Sequence, residues 1–268
     1  MKRKKWPFVY VGLVTAVTYI PILLTVIYSF NESKISSVWG GFSLKWYEEL
    51  LYDRDIREAL FNSLTLAFFS CLSAAVIGTM GAVGMYERKS RLNETVAMIS
   101  LLPIMIPEII LGMVFLAVFS LMNLPFGMVT LVIAHTAFCI PYVYSMVSAR
   151  LCGMDRSLYE AALDLGASPF RAFWDVTFPM IRPGLLSGLM LSFAMSFDDV
   201  VISIFVTGPS VNTLPVKIYT ALKTGVTPKI NALAAVMLLV TAVLITGSAL
   251  AGRSRKKHTR YIPARRGA

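Results

Sequence analysis

The sequence predicts an all-α, polytopic membrane protein with six transmembrane helices, and three observations indicate this fold class. First, 56% of the 268 residues are hydrophobic and only 15% are charged, with a mean hydropathy of +0.68, which is too apolar for a soluble domain of this size. Second, six stretches each hold the ~20 mostly apolar residues that a span needs. Third, the lysines and arginines are divided unevenly between the loops. The sequence shows no alternating pattern of the kind that an outer-membrane barrel would need.

The six apolar stretches give the predicted order of elements. They cover Phe8–Phe30, Leu60–Tyr86, Thr95–Met122, Met128–Arg150, Pro183–Val206 and Ile230–Ala251. The basic start before the first stretch is similar to that of a signal peptide. However, the apolar run of about 23 residues is longer than a typical signal sequence and no A-x-A-like cleavage site follows it. We therefore interpret the first stretch as a retained span.

Small residues and prolines indicate where these helices approach one another and where they are interrupted. Ala74, Gly78 and Ala82 recur at a spacing of four in the second stretch, which predicts close approach of another helix. Pro103 and Pro107 interrupt the third stretch. A proline inside a span is tolerated where a neighbour or a cavity satisfies the freed backbone groups.

The basic residues place both termini in the cytoplasm. Of the 25 lysines and arginines, 18 lie on the side with the two termini, the loop Glu87–Glu94 and the segment Leu151–Arg182, counting Arg150 with that segment, and 7 lie on the other side. An excess of basic residues marks the cytoplasmic side. Because topology already explains the net charge of +10, we expect no nucleic-acid partner.

The chain is predicted to have three parts. Residues 1–59 form the first transmembrane helix and an external segment, residues 60–251 form the transmembrane core, and residues 252–268 form a basic cytoplasmic tail. The core contains one long cytoplasmic loop, residues 151–182.

This loop contains the sequence EAALDLGASPFRAFWDVTFP, which predicts two short helices joined by a sharp turn. Glu160–Leu165 forms the first helix, and Gly166 ends it by adopting positive φ. Ser168 caps the second helix, Pro169 is its first residue, and Pro179 stops it before the next span. From these residues alone, the segment is either a rigid knob for a partner or an ordinary amphipathic loop at the membrane interface.

The same residues resemble the EAA loop of permease subunits of ABC importers. The order is Glu-Ala-Ala, three residues, Gly, nine residues and then Val-x-Phe-Pro, where the family usually has Ile and Leu at the last apolar positions. The resemblance implies a type I importer transmembrane domain whose loop docks on a separate ATPase subunit. It assigns ATPase coupling to Glu160, Ala161, Ala162, Asp164, Gly166 and Pro179.

The chain itself lacks the G-x-x-x-x-G-K-[ST] phosphate loop. We therefore expect a transport subunit and not an enzyme, with no cofactor and no metal of its own. With one histidine in a span and the other in the tail, we interpret His135 as a hydrogen-bonded packing residue.

Three stretches narrow the resemblance to importers of spermidine and putrescine, and within them to the second of two permease subunits. They are SFNESKISSVWGGFSLKWYEELL, RLCGMDRSLYEAALDLGAS and the segment from Phe197 to Ala234. The resemblance implies a bacterial inner-membrane complex with a second permease subunit as heterodimer partner, two copies of an ATP-binding subunit, and a periplasmic or lipid-anchored substrate-binding protein. Relatives that carry an organic cation, a ferric ion or an opine stay open as alternatives, and a stand-alone secondary carrier is disfavoured by the EAA loop.

Three acids lie inside predicted spans, where carboxylates usually face a cavity or a partner. At ~1.5 Å per residue, Glu108 and Asp198 lie roughly 20 Å from the cytoplasmic ends of their spans, so matching depths are expected. Asp199 points about 100° away from Asp198 on a helix. One aspartate is therefore expected to face the pathway, while the other caps a helix break or bonds a neighbour.

A polyamine carries spaced ammonium groups, which carboxylates and aromatic faces bind well. We therefore predict a substrate pathway that includes Trp46, Glu108, Ser196, Asp198 and Asp199. For Trp46 the alternative is an anchor at the membrane interface.

Overall fold

The computed structural model describes residues 6–35, 38–87, 91–209 and 211–253, and these residues are almost entirely helical. The elements are α1 (Trp6–Tyr28), α2 (Lys45–Tyr52), α3 (Arg54–Glu87), α4 (Arg91–Met105), α5 (Glu108–Leu121), α6 (Met128–Cys152), α7 (Ser157–Asp164), α8 (Pro169–Ala172), a π-helical turn (Phe173–Thr177), α9 (Phe178–Asp198), α10 (Val201–Val206), α11 (Leu214–Thr224) and α12 (Pro228–Arg253). Within the described ranges, the extended pairing is a single antiparallel bridge between Asn31 and Phe42. The all-α prediction is confirmed.

Several helices have the length and composition of membrane spans. Four segments are long and apolar enough to cross a membrane: Val9–Tyr28, Arg54–Tyr86, Met128–Cys152 and Pro169–Asp198. The pair α4 and α5 adds a fifth if it counts as one span. The sixth predicted stretch falls on α12, whose described apolar part, Pro228–Val243, is shorter. The sixth span stays a prediction.

The predicted interruption of the third span is confirmed at Pro107 but not at Pro103, which lies inside α4, and the break makes the depth calculated for Glu108 along one continuous helix wrong. Helix α4 ends at Met105, α5 begins at Glu108, and their axes differ by 107°. Pro107 stands between them with φ −54° and ψ 131°. The proline has no N–H to donate, and its ring disfavours helical backbone at Ile106, so the chain turns at this point.

The fifth span also differs from the prediction. Pro179 does not stop the helix, because a continuous apolar helical segment runs from Pro169 to Asp198. A proline fits early in a helix, and directly before Pro179 the chain makes a π-helical turn in which the N–H of Phe178 bonds to the carbonyl of Phe173. The helix then breaks at Asp199, which has extended backbone with φ −69° and ψ 127°, before the short α10.

The chain divides into two compact units. One comprises the described parts of residues 1–62 and 212–241, and the other comprises those of 63–211 and 242–268. In the second unit, α6 packs against α4, α9 and α10, and α5 packs against α10. The small residues of α3 behave as predicted, since a Cβ at Gly78 would lie 3.0 Å from Cβ of Val143.

In the first unit, ion pairs connect the start of α3 to α11 and α12. Lys229 Nζ lies 2.6 Å from Oδ2 of Asp53, and Lys217 Nζ lies 3.2 Å from Oδ2 of Asp55. Asp53 Oδ1 also accepts a hydrogen bond from the N–H of Ile56 at 3.1 Å. The hydrogen bond from Lys229 holds the pKa of Asp53 below its usual value.

Candidate functional site

Trp46 lies in the packing of the first unit. It is 6% exposed, and its indole Nε1–H donates to the carbonyl of Asn31 at 2.6 Å. Lys45 already covers its ring, with Nζ 5.4 Å from the ring centroid. Because an aromatic residue needs an open face to bind an ammonium group, we interpret Trp46 as a structural anchor and not as a pathway residue.

Glu108 lies at the bend between α4 and α5. It is the first residue of α5, directly after Pro107, and it is exposed. A carboxylate in the first turn of a helix is stabilised by the unpaired N–H groups and the helix dipole. Backbone that breaks at membrane depth is tolerated where it lines a cavity or is buried in protein. Glu108 therefore stands at a helix break and not in the middle of a straight span.

Asp199 stands at the second break and caps α10. Its Oδ1 accepts from the N–H of Ile202 at 3.2 Å, and its Oδ2 accepts from the N–H and Oγ–H of Ser203 at 2.9 and 3.0 Å. A side-chain oxygen that binds first-turn N–H groups in this way acts as a helix cap. Its side chain is 3% exposed. Of the two adjacent aspartates, Asp199 thus has the capping role that the sequence left open.

Ser196 is also occupied by an internal contact. Its Oγ lies 2.9 Å from Nδ1 of His135, whose Nε2 lies 3.1 Å from Oγ of Ser203 and 3.4 Å from Oδ2 of Asp199. His135 is 0% exposed, so the interpretation of this histidine as a hydrogen-bonded packing residue is confirmed. Ser196 and Asp199 therefore belong to a buried polar cluster that joins α6, α9 and α10.

Asp198 differs from its neighbour. It is exposed, and its carboxylate has no hydrogen bond or ion pair within the part of the chain that the structure describes. It is the last residue of α9. Its charge is therefore available to a ligand.

The helices that follow the two breaks, α5 and α10, pack on each other. A Cβ added at Gly112 would lie 2.5 Å from the ring of Phe205, so the two helices touch there. Gly112 lies four residues after Glu108, and Phe205 lies four residues after Val201, which is about 6 Å along each helix. The C-terminal ends of both helices lie at the same loop, residues 122–127. Helix α5 leads into this loop, and Thr130, near the start of α6 that follows it, donates a hydrogen bond from Oγ1 to the carbonyl of Val206 at the end of α10. Glu108 and Asp198 thus stand at two breaks that are followed by helices packed on each other.

The loop 151–182 has the predicted helix, glycine turn and helix. α7 covers Ser157–Asp164, and Gly166 has φ +87°. Oγ of Ser168 accepts from the N–H of Arg171 at 3.3 Å, and Pro169 is the first residue of α8. The glycine turn and the serine cap are confirmed.

Glu160 lies on the exposed side of α7. Its Oε1 is 3.2 Å from Nε of Arg156, and both side chains are more than half exposed. Such a surface pair contributes little to stability and leaves the carboxylate accessible. The same loop carries apolar side chains that the sequence interpretation did not single out: Leu165 is 90% exposed and Phe170 is 74% exposed. Their exposure depends on the direction of the turn, so no periodicity in the sequence could reveal it.

Comparison with known proteins connects this architecture to a family. Residues 56–256 match the family model described as "Binding-protein-dependent transport system inner membrane component". The chain is 39% identical over 249 residues to the spermidine/putrescine transport system permease protein PotC of Escherichia coli (strain K12), covering 92% of this chain and 94% of that protein. It is 41% identical over 276 residues to the putrescine transport system permease protein PotI of the same strain, covering 99% and 98%.

Solved structures show the same fold at low sequence identity. A chain of a bacterial ABC transporter involved in the import of the acidic polysaccharide alginate aligns with a TM-score of 0.70 at 16% identity, covering 96% of this chain and 97% of that chain. A chain of the MetNI methionine ABC transporter, in an inward-facing conformation, aligns with a TM-score of 0.66 at 19% identity, covering 77% and 98%. At these identities the comparison concerns the fold alone.

Proposed function

The chain belongs to the family of binding-protein-dependent transport system inner membrane components, and we propose that it is a permease subunit of an ATP-driven importer of polyamines. It has the fold of the transmembrane domain of ABC importers and is a multi-pass inner-membrane protein. In this proposal it forms half of the translocation pathway. A second permease subunit forms the other half, two ATP-binding subunits drive transport, and a substrate-binding protein delivers the solute.

The observation that carries the polyamine assignment is the unpaired Asp198 at a helix break beside the break that bears Glu108. The two relatives named above, which transport spermidine and putrescine by their names, favour the same cargo. A polyamine has ammonium groups separated by methylene chains, so it fits two separated carboxylates better than one clustered pair. A carboxylate near an ammonium contributes several kcal/mol where water is partly excluded, at an effective dielectric of ~20.

The coupling to ATP hydrolysis is assigned to the cytoplasmic loop. The turn at Gly166 presents α7 and the exposed Leu165 and Phe170 on one short segment, while Glu160 supplies a polar contact. Apolar side chains that project from a polar rim are typical of a protein interface. We propose that this segment docks on the ATP-binding subunit, with the apolar pair as anchor.

Uptake by the complete importer in membrane vesicles tests the cargo. Radiolabelled spermidine and putrescine should enter with ATP, and Glu108→Gln or Asp198→Asn should reduce uptake per assembled complex by at least about tenfold, since each change removes about 1.4 kcal/mol or more of favourable interaction. Glu58→Gln, at an exposed acid of α3, serves as the matched control and should transport normally.

The same vesicles distinguish the alternatives. Normal polyamine uptake in both pathway variants would show that these acids are structural. Uptake of a ferric ion or an opine in preference to polyamines would change the cargo but keep the importer class. Uptake that proceeds after removal of the ATP-binding subunit would instead indicate a secondary carrier.

A further inference from the structure

The histidine of α6 bridges the two sides of the break between α9 and α10. Nδ1 of His135 lies 2.9 Å from Oγ of Ser196, before the break. Nε2 lies 3.1 Å from Oγ of Ser203 and 3.4 Å from Oδ2 of Asp199, after the break. One side chain therefore contacts polar groups from both segments.

The surroundings of this imidazole are apolar and closed. His135 is 0% exposed, and its neighbours on α6 include Leu131 and Ala134 at 0% and Phe138 at 2%. A polar ring in such a site costs free energy unless both nitrogens have partners. Both do, and within the described residues these polar partners all lie beside the break.

The protons can be placed so that each group in the cluster is satisfied. Oγ–H of Ser203 donates to Oδ2 of Asp199. Oγ of Ser203 can therefore accept a hydrogen bond from Nε2–H of a neutral imidazole. Nδ1 then accepts from Oγ–H of Ser196. In this arrangement the imidazole holds Ser203, and Ser203 holds the capping carboxylate.

Because α10 is short, the hydrogen bonds of this cluster set the direction of that helix. α10 covers only six residues, Val201–Val206. A helix this short gains little from its own hydrogen bonds, so its caps and its packing set its direction. Because Asp199 serves as the cap, Asp198 is the one of the two acids that has no hydrogen bond or ion pair among the described residues, and the break determines where its side chain points.

We propose that His135 is a positioning residue for translocation: it fixes the break between α9 and α10 and thereby directs Asp198 into the pathway. The cargo in this statement rests on the proposed function, whereas the orientation of Asp198 does not. The proposed role of His135 thus goes beyond packing, although this histidine does not contact the solute.

Two substitutions separate the two halves of the bridge. The amide nitrogen of Asn occupies nearly the place of Nδ1, and that of Gln occupies nearly the place of Nε2. His135→Gln therefore keeps the contact with Ser203 and Asp199, while His135→Asn keeps only the contact with Ser196. If the α10 side fixes the break, Gln should preserve the geometry and Asn should not. His258→Asn, the same change at the other histidine of the chain, is the matched control.

The orientation of position 198 can be measured without transport. In the complete importer with Asp198→Cys and the exposed Cys152 replaced by Ser, a cationic methanethiosulfonate added from outside should label this subunit at position 198. We expect His135→Asn to slow this labelling by at least about tenfold, equivalent to 1.4 kcal/mol, and His135→Gln and His258→Asn to leave it close to the starting rate. In the chain that keeps Asp198, polyamine uptake per assembled importer should fall in the same order.

A merely structural role would give a different result. His135→Asn would then lower the amount of assembled importer, while the labelling rate of each assembled copy stayed the same. Equal labelling rates with Asn, Gln and His at position 135, or equal losses with Asn and Gln, would overturn the proposal. If labelling follows the expected order but Asp198→Asn imports polyamines normally, the positioning role stands and the proposed use of Asp198 fails.

Discussion

Exchanging Asp199 for Asn should destabilise the importer, whereas the same exchange at Asp198 should not. Asp199 accepts hydrogen bonds from Ile202 and twice from Ser203, at 3.2, 2.9 and 3.0 Å, and its side chain is 3% exposed. In Asp199→Asn the remaining oxygen can bind Ile202, but the new NH₂ group faces the N–H and Oγ–H of Ser203. Two hydrogen bonds to a charged acceptor, each worth ~1.5–3 kcal/mol, are thereby lost, and rotation of the Ser203 hydroxyl recovers part of them. We expect a net loss of about 2–4 kcal/mol.

The assay is thermal unfolding of the purified importer, with uptake measured in parallel. At roughly 2–4 °C per kcal/mol for a chain of this size, Asp199→Asn should lower the unfolding midpoint by at least about 4 °C. Asp198→Asn changes an exposed, unpaired carboxylate and should stay within about 0.5 kcal/mol, while it abolishes most polyamine uptake. Equal shifts of the midpoint for the two variants, or a larger shift for Asp198→Asn, would refute the assignment of the cap to Asp199.

Three further predictions concern the loop and the first unit. Gly166→Val should reduce transport while the chain still inserts. Gly166 has φ +87° and open space around its missing Cβ, so the substitution carries only the backbone cost of about 1–2 kcal/mol. Gly153→Ala, at a glycine with negative φ, is its control in uptake assays. Leu165→Asp should leave stability unchanged and reduce co-purification of the ATP-binding subunit, because a side chain that is 90% exposed is not part of the core. Lys229→Gln should let the pKa of Asp53 rise toward its ordinary value of 3.8. Since the pKa of Asp53 is lowered in the folded protein, the pair stabilises the fold above pH 3.8, by less than about 1 kcal/mol at this partly exposed site. This stabilisation is lost as the pH falls through the lowered pKa, and the difference in unfolding midpoint from the parent protein should disappear there.

Much of the loop 151–182 could be predicted from the sequence, because its signals are local. A glycine at a turn and a serine before a proline act through their own backbone, so the positive φ of Gly166 and the cap at Ser168 follow from residue type. The end of the second helix did not follow. Pro179 is usually a stop signal, but the π-helical turn before it satisfies the hydrogen bonding and lets the helix continue.

The membrane acids show the opposite case. The sequence places Glu108 and Asp198 in apolar stretches, but the depths that it predicts assume straight helices, and α4 and α5 are bent by 107°. The helices that follow the two breaks meet where Gly112 contacts Phe205, and a contact between residues so far apart in the chain has no local signal.

By itself, the sequence determined that this protein is an all-α membrane protein with a helix–turn–helix loop, since hydropathy, charge asymmetry and turn residues act locally or by composition. Only the tertiary structure decided which of two adjacent aspartates is free. The chemistry of Asp198 and Asp199 is the same, and they differ because α6 brings His135 against one side of the break. Hydrogen bonds from Ile202 and Ser203 then occupy both carboxylate oxygens of Asp199, whereas the carboxylate of Asp198 has no such partner among the described residues. That outcome depends on how three helices pack, and packing between distant segments is the information that neither periodicity nor residue type contains.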